Sequence, residues 1–136
     1  MKTKHELELA DVKAIAAAAE AEAQKNQWAV TIAIVDDGCN LLAYLRMDGA
    51  KVLSRESATH KAMTAASSRA PTGQVPEGLD ARLALATGGK VTNLKGGLPI
   101  VVDGQVIGGI GVGSGTGDQD LEVAQAAVAA LLEAVG

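Results

Sequence analysis

The sequence of 136 residues contains no phenylalanine, one tryptophan, one tyrosine and one cysteine. With so few aromatic rings to stack on bases and a formal net charge of −4, the chain lacks the features of a nucleic-acid-binding protein. A single cysteine excludes an internal disulfide, so the fold does not depend on an oxidising compartment. No apolar stretch approaches the roughly 20 residues that cross a bilayer, and the N-terminal segment has no hydrophobic signal core. We therefore expect a cytoplasmic protein that contacts neither membrane nor nucleic acid.

Small side chains take the place of the missing aromatic ones. Hydrophobic residues make up 48% of the sequence, and many of them are alanine. A core of this composition requires helices that lie close to a sheet, and it favours further burial in an oligomer. The length fits one domain, which we place at residues 1–136.

Hydrophobic periodicity and turn signals predict helices at 9–25, 54–69, 80–86 and 118–134. Strands are predicted at 28–35, 41–47, 98–102 and 105–112, with a further short strand at 91–94. Two Asp-Gly pairs, at 37–38 and 103–104, mark hairpins. Because strands and helices do not alternate one for one, the pattern indicates a single antiparallel sheet that carries helices, which is an α+β fold.

The start of the last helix is the best specified boundary in the chain. Thr116 and Gln119 have the spacing of a capping box, in which each side chain satisfies a backbone N–H near the other residue. Asp118 and Asp120 follow in the first turn, where the helix dipole favours a negative charge.

A glycine-rich stretch, residues 104–119, leads into this helix. Alternation along the strand places Gly109, Gly111 and Gly113 on one face together with Ile107. The glycines leave on the order of 13 Å of sheet without side chains. Such a run marks the close approach of either a ligand or another backbone, and the pattern does not choose between them.

Established nucleotide and metal motifs are absent from the sequence. The glycine spacing does not match the dinucleotide fingerprint, and Gly89-Lys90 is followed by valine, which excludes a P-loop. The two histidines have no metal-binding spacing, so we predict no metal site. Haem ligation would have to use one of five side chains, and their spacing selects none: His60, Tyr44, Met47, Met63 or Cys39.

The helix at 54–69 carries a polar stripe made of Ser57, His60, Lys61, Thr64 and Ser68. The stripe is either a solvated face or one wall of a pocket. In a pocket, His60 would exchange protons near neutral pH and Lys61 would hold a carboxylate.

The end of the first hairpin also offers two interpretations. Arg46 and Asp48 either form an exposed ion pair, or Arg46 serves as a fork for a carboxylate substrate. Cys39 lies in a turn with no histidine near it in sequence, so an incidental exposed thiol is favoured over a nucleophile.

Three segments together resemble the GlcG/HbpS family, often called the haem-degrading domain: VDDGCNLLAYLRMDGA, HKAMTA and GGLPIVVDGQVIGGIGVGSGTGDQDLEVAQAA. The resemblance covers about residues 9–132. It implies a profilin-like α+β domain with an antiparallel sheet, homo-oligomers, and haem or corrinoid binding in some members. The motif positions of the family fall here on Arg46, Asp48, Gly49, Lys61, Thr64, Gly96, Gly97, Gly111, Gly113 and Asp120.

From the residues and the resemblance we expect a homo-oligomer that binds a small organic acid near residues 109–113. If it is a catabolic enzyme, proton transfer, tautomerisation or hydrolysis would suit its catalytic candidates, His60 and Lys61. The substrate-binding candidates are Arg46, Asp48, Thr64, Gly96, Gly97, Gly111, Gly113, Ser114 and Asp120. One alternative is a non-catalytic module that binds haem or a corrinoid; the sequence does not identify the cofactor, for which haem is a candidate. In another alternative, the glycines only admit a helix or a neighbouring subunit.

Overall fold

The computed structural model describes residues 1–135, and the side chains of residues 1–134. Its helices are α1 (Leu9–Lys25), α2 (Ser54–Ser68), α3 (Leu79–Ala86) and α4 (Gly117–Val135). Its strands are β1 (Thr31–Asp36), β2 (Leu41–Arg46), β3 (Gly97–Val102) and β4 (Gln105–Gly113). These elements agree with the predicted helices and hairpins, with shifts at some of their ends.

All four strands form one sheet in the order β2-β1-β4-β3, and every neighbouring pair is antiparallel. The two hairpins therefore lie side by side, with β1 and β4 at the centre. The Asp103-Gly104 turn has the two positive φ angles that a type I′ hairpin requires, 51° and 74°. The predicted α+β fold with an antiparallel sheet is confirmed.

The two faces of the sheet carry different kinds of core. On one face, α1 and α4 pack against large aliphatic side chains, and the fully buried ones include Ile15, Ile32, Ile34, Ile110 and Val123. On the other face lies α2, in a cluster built mostly from alanine: Ala33, Val35, Ala58, Ala62 and Ala66. The first face supplies most of the buried apolar surface, and the second brings backbones close together.

Helix α2 lies directly on the glycines of β4. A Cβ atom added to Gly111 would lie 1.9 Å from the carbonyl oxygen of Ala58, and one added to Gly109 would lie 2.3 Å from that of Ala62. No ligand fits between groups this close. The glycines at 109 and 111 therefore admit a helix, and the expectation of a ligand pocket over that part of the strand is wrong.

One residue of β4 lies on a different face from the one that simple alternation assigns. Ile100 is opposite Gly108 and Val101 is opposite Val106, so Ile107 is an extra residue in the ladder. This bulge turns Ile107 away from α2 and into the aliphatic core under α1 and α4.

The short strand predicted at 91–94 does not form. Its backbone bonds to side chains instead of to another strand: Thr92 N–H donates to Thr64 Oγ1 at 3.0 Å. Asn93 is tied to the preceding loop through Val75, whose N–H and C=O both bond the Asn93 amide. The segment is an irregular loop fastened beside α2.

The capping box at the start of α4 is formed as predicted. Thr116 N–H donates to Gln119 Oε1 at 3.0 Å, and Gln119 N–H donates to Thr116 Oγ1 at 3.2 Å. Among the helices described, none combines the length and the hydropathy that a membrane span requires.

Replacing Gly111 with alanine should destabilise the protein by about 3 kcal/mol or more, because the new methyl group would meet helix backbone that cannot move aside. Urea unfolding measures this loss. The matched control is Gly117→Ala, whose new methyl group would meet only the flexible Lys95 side chain, and it should stay within about 0.5 kcal/mol of the wild type. Equal stability of the two variants would contradict the packing described here.

Candidate functional site

A cavity of about 360 Å³ opens where β4 ends and α4 begins. Its walls come from the first half of α2, the loop before β3 and the β4–α4 turn. It is lined by Lys51, Leu53, Ser54, Ser57, Lys61, Leu94, Lys95, Ser114, Gly115, Gly117 and Asp120. The cavity therefore lies beside the last glycine of β4 rather than over the glycine face.

A buried ion pair forms the inner wall of this cavity. Lys61 Nζ lies 3.0 Å from Asp120 Oδ2 and donates a second hydrogen bond of 2.7 Å to the carbonyl oxygen of Val112. The two charged side chains are 5% and 2% exposed. The pair joins α2, β4 and α4 at one point, because each of these elements contributes one of the groups.

Asp120 is held on its other oxygen as well. Gly115 N–H donates to Asp120 Oδ1 at 3.0 Å. Burial nevertheless raises the pKa of Asp120 above its ordinary value, against the opposing effect of the Lys61 ammonium group. Ionising this buried carboxylate therefore costs free energy, and the Lys61 ammonium group reduces that cost.

Gly96, just before β3, and Gly97, the first residue of β3, make room for the ion pair. Gly96 has a φ of 126°, and a Cβ atom there would lie 2.7 Å from Asp120 Cβ and 3.1 Å from Lys61 Nζ. A Cβ atom on Gly97 would lie 2.6 Å from the carbonyl oxygen of Lys61. Both glycines are packing residues of the inner wall, since their backbone, without side chains, lies against the pair.

Two lysines and a conformationally unusual serine form the rim. Ser114 has a φ of 86°, rare for a residue with a side chain, and its Oγ accepts a 2.9 Å hydrogen bond from Lys51 N–H. Lys95 forms an ion pair with Asp118 in the first turn of α4. The rim therefore carries Lys51 and the Lys95–Asp118 ion pair next to the buried pair.

A second groove of about 590 Å³ adjoins the cavity. It runs along α2 and shares Leu53, Ser57 and Leu94 with the cavity, while α3 and the 89–94 loop form its far wall. His60 lies in this groove with 26% of its side chain exposed, and its Nε2 is 3.8 Å from Glu56 Oε2. Leu53 and Leu94 are 69% and 56% exposed.

The structure thus brings together Lys61, Gly96, Gly97, Gly113, Ser114 and Asp120, and it places His60 in the adjoining groove. Gly111 lies under α2. Thr64 is buried, and its hydroxyl is used by the backbone, since it donates to Lys90 C=O at 3.0 Å and accepts from Thr92 N–H.

Arg46 and Asp48 are exposed near the end of β2, at the same end of the sheet as Gly113. Neither side chain lines the cavity or the groove, and in residues 1–135 no ion pair joins them. The exposed ion pair considered from the sequence is therefore not formed.

Sequence reasoning missed the two rim lysines. Lys51 follows the Arg-x-Asp-Gly-Ala motif directly, and Lys95 precedes the Gly96-Gly97 pair. Their positions next to these motifs were the signal that could have identified them as site residues. No group of three or more histidine, cysteine or acidic side chains is arranged to hold a metal ion in the part of the chain that is described.

Comparison with known proteins gives consistent matches along most of the chain. Residues 7–129 match the family model for the haem degrading protein HbpS-like. GlcG of Escherichia coli strain K12 is 47% identical over 113 residues, which cover 82% of this chain and 84% of GlcG.

Two solved structures have the same fold. The Klebsiella pneumoniae protein ORFY, of the family DUF336, superposes with a TM-score of 0.89 at 32% identity, covering 96% of this chain and 94% of ORFY. A PduOC–haem complex superposes with a TM-score of 0.83 at 33% identity, covering 93% of this chain and 95% of PduOC.

Replacing Lys61 with methionine should cost about 3–5 kcal/mol of stability, because it leaves Asp120 buried without its cation. The change raises the pKa of Asp120 further in the folded state. A folded-state pKa above the unfolded one means that stability falls as pH rises through the interval between them. Urea unfolding should therefore show a larger deficit at about pH 8 than at about pH 5.

The control is Lys51→Met, which removes an exposed rim lysine and should leave stability nearly unchanged at both pH values. A Lys61→Met protein as stable as this control would contradict a structural role for the buried pair.

Proposed function

Because this chain belongs to the HbpS-like family of haem-degrading proteins, we propose that it is a non-catalytic module that binds a tetrapyrrole of the haem class along the outer side of α2. One observation carries the proposal: His60 lies beside the exposed side chains of Leu53 and Leu94 in a groove that adjoins a lysine-lined cavity. We further propose that the protein works in the cytoplasm, where its free Cys39 would stay reduced.

Haem requires an axial ligand and apolar contacts, which His60, Leu53 and Leu94 supply in a groove that Glu56 and Asp80 also line. Histidine imidazole is a common ligand of haem iron. His60 is one of the five candidate side chains named from the sequence, and it lines the groove. Leu53 and Leu94 supply exposed apolar surface on either side of it.

The other candidate ligands are less well placed. Tyr44 lies on the outer strand β2, and Met47 packs against the aliphatic core. Cys39 and Met63 pack against the alanine cluster, and the Cys39 thiol donates to Met63 C=O at 3.5 Å. Burial also raises the pKa of Cys39, which disfavours the thiolate that would bind iron.

Charge at the rim fits the acidic side chains of a haem. Lys51 and Lys95 line the cavity that adjoins the groove, with Lys95 also paired with Asp118, and ammonium groups bind carboxylates without requiring a fixed geometry. PduOC, which has the same fold, was solved as a haem complex. Bound haem would supply an iron centre, while His60, the leucines and the lysines would hold and orient the group.

Binding is favoured over catalysis because the two buried ionisable side chains beside the cavity, Lys61 and Asp120, already hydrogen-bond to protein groups. Lys61 and Asp120 bond each other, and both also bond backbone at 2.7 and 3.0 Å. A general acid or base needs a free position within hydrogen-bond reach of its substrate. We therefore assign the pair to structural support of the cavity rather than to proton transfer.

A small organic acid in the cavity alone is the second candidate. The observation that favours it is a set of hydroxyl and ammonium groups around one space: Ser57, Ser114 and Lys51. Its 360 Å³ lies within the range of roughly 300–1,000 Å³ that ligand pockets usually span.

We also propose that the protein forms homo-oligomers through β2. This strand lies at the edge of the sheet, so one side of its backbone has no neighbouring strand. Leu41, Leu42 and Tyr44 on it are 50%, 39% and 41% exposed. An exposed apolar edge strand is a ready site for pairing with a second copy.

Haem titration followed by visible spectroscopy should give saturable binding to the wild type and an affinity lower by about tenfold or more in His60→Ala, because the axial ligand is lost. His5→Ala is the matched control. It removes the other histidine, which is exposed and pairs with Asp103, and it should bind haem like the wild type.

Equal binding by His60→Ala and the wild type, or no saturable change with either, would contradict the haem proposal. Thermal stabilisation by lactate or pyruvate that disappears in Ser57→Ala, together with no haem binding, would support the second candidate instead.

Light scattering after size-exclusion chromatography should show that Tyr44→Lys dissociates the wild-type oligomer, because a charge on the edge strand opposes pairing. Leu85→Lys is the control, since Leu85 on α3 is 85% exposed and lies outside the sheet. A monomeric wild type, or an oligomer that survives Tyr44→Lys, would contradict pairing through β2.

A further inference from the structure

A separate cavity of about 690 Å³ lies at the opposite end of the sheet from the groove and cavity described above. The two hairpin turns, the end of α2 and the N-terminal segment surround it. We propose that it is a second binding site, for a small metabolite that carries phosphate or several carboxylates. Its lining residues are Lys2, Lys4, Asp37, Gly38, Cys39, Ala66, Ser67, Arg69, Val101, Gly104, Gln105 and Val106.

The charge of this cavity is opposite to that of the whole chain. The chain has a net charge of −4, whereas the lining holds three cations, Lys2, Lys4 and Arg69, and one carboxylate, Asp37. Lys4 is paired with Asp37. Among residues 1–135, Lys2 and Arg69 enter no ion pair, so a net positive charge of two cations faces the cavity.

Arg69 occupies a position that normally suits glycine. It ends α2 in the left-handed conformation with a φ of 57°, and its N–H donates to Ala65 C=O at 2.9 Å. Helices commonly end in this conformation with glycine, because a Cβ atom is strained there. Cys39, also in the lining, has a φ of 64°. Both residues therefore belong to turns that form the cavity wall, one at the end of α2 and one between β1 and β2.

The side chains determine the chemical class of the ligand. A guanidinium group donates two parallel hydrogen bonds to phosphate or carboxylate, and Ser67 and Gln105 line the same cavity. No aromatic ring lines the cavity, so it offers no stacking surface for a base. Burial and the nearby Asp36 carboxylate raise the pKa of the Cys39 thiol, which disfavours its nucleophilic thiolate form.

The proposed anion site and the cavity beside the Lys61–Asp120 pair are too far apart to hold one small molecule. One lies at the Gln105 end of β4 and the other at the Gly113 end, and a strand of this length spans about 27 Å at about 3.4 Å per residue. The second site therefore does not depend on the haem proposal.

Isothermal titration calorimetry of the full chain with inorganic pyrophosphate, at low salt, tests the proposal. Wild-type protein should bind at a single saturable site, and Arg69→Gly should bind about tenfold more weakly or worse. The same variant should unfold at a higher temperature than the wild type, because glycine relieves the strain at the helix end. Weak binding by this variant would then not come from misfolding.

Lys13→Ala controls for general charge, since Lys13 is an exposed cation of α1 that does not line the cavity. It should bind pyrophosphate like the wild type. Three results would each overturn the proposal: no saturable binding by the wild type, unchanged binding by Arg69→Gly, or an equal loss in Lys13→Ala.

Discussion

The close approach of α2 to β4 determines how the rest of this molecule is arranged. Carbonyl oxygens of the helix lie where Cβ atoms of the strand would be, at 1.9 Å for Gly111 and 2.3 Å for Gly109. Such contact needs two features at once, a strand face without side chains and a helix face of alanine. Ala58 and Ala62 supply the second feature and are fully buried. A single added methyl group at the contact has no free space to occupy.

This contact also determines where a ligand can bind. Because the inner side of α2 is filled by backbone, its two catalytic candidates either close the rim of the contact or face outward. Lys61 does the first, by reaching Asp120 and the end of β4. His60 does the second, in the groove under α3. Adjacent residues on a helix point about 100° apart, which explains why neighbours in sequence have different environments.

Much of the fold could be predicted from the sequence, because hairpin turns, capping boxes and helical periodicity are local signals. The Thr116–Gln119 capping box is an example. The role of the glycine face could not be predicted, since a ligand and a backbone both require an empty strand. Alanines four residues apart in α2, at 58, 62 and 66, were the overlooked signal for a helix. The Ile107 bulge and the loop bonded to Thr64 depend on partners distant in sequence, which no local pattern records.

Native-state hydrogen exchange tests the central claim, that α2 and β4 form one packed unit, most directly. If helix backbone seals the glycine face, the buried amides of α2 and β4 exchange only through global unfolding, with the same free energy and the same dependence on denaturant. Exchange of α2 at a free energy well below that of β4 would show that the helix opens alone. That result would contradict the account, because a helix that detaches easily would expose the glycine face to a ligand.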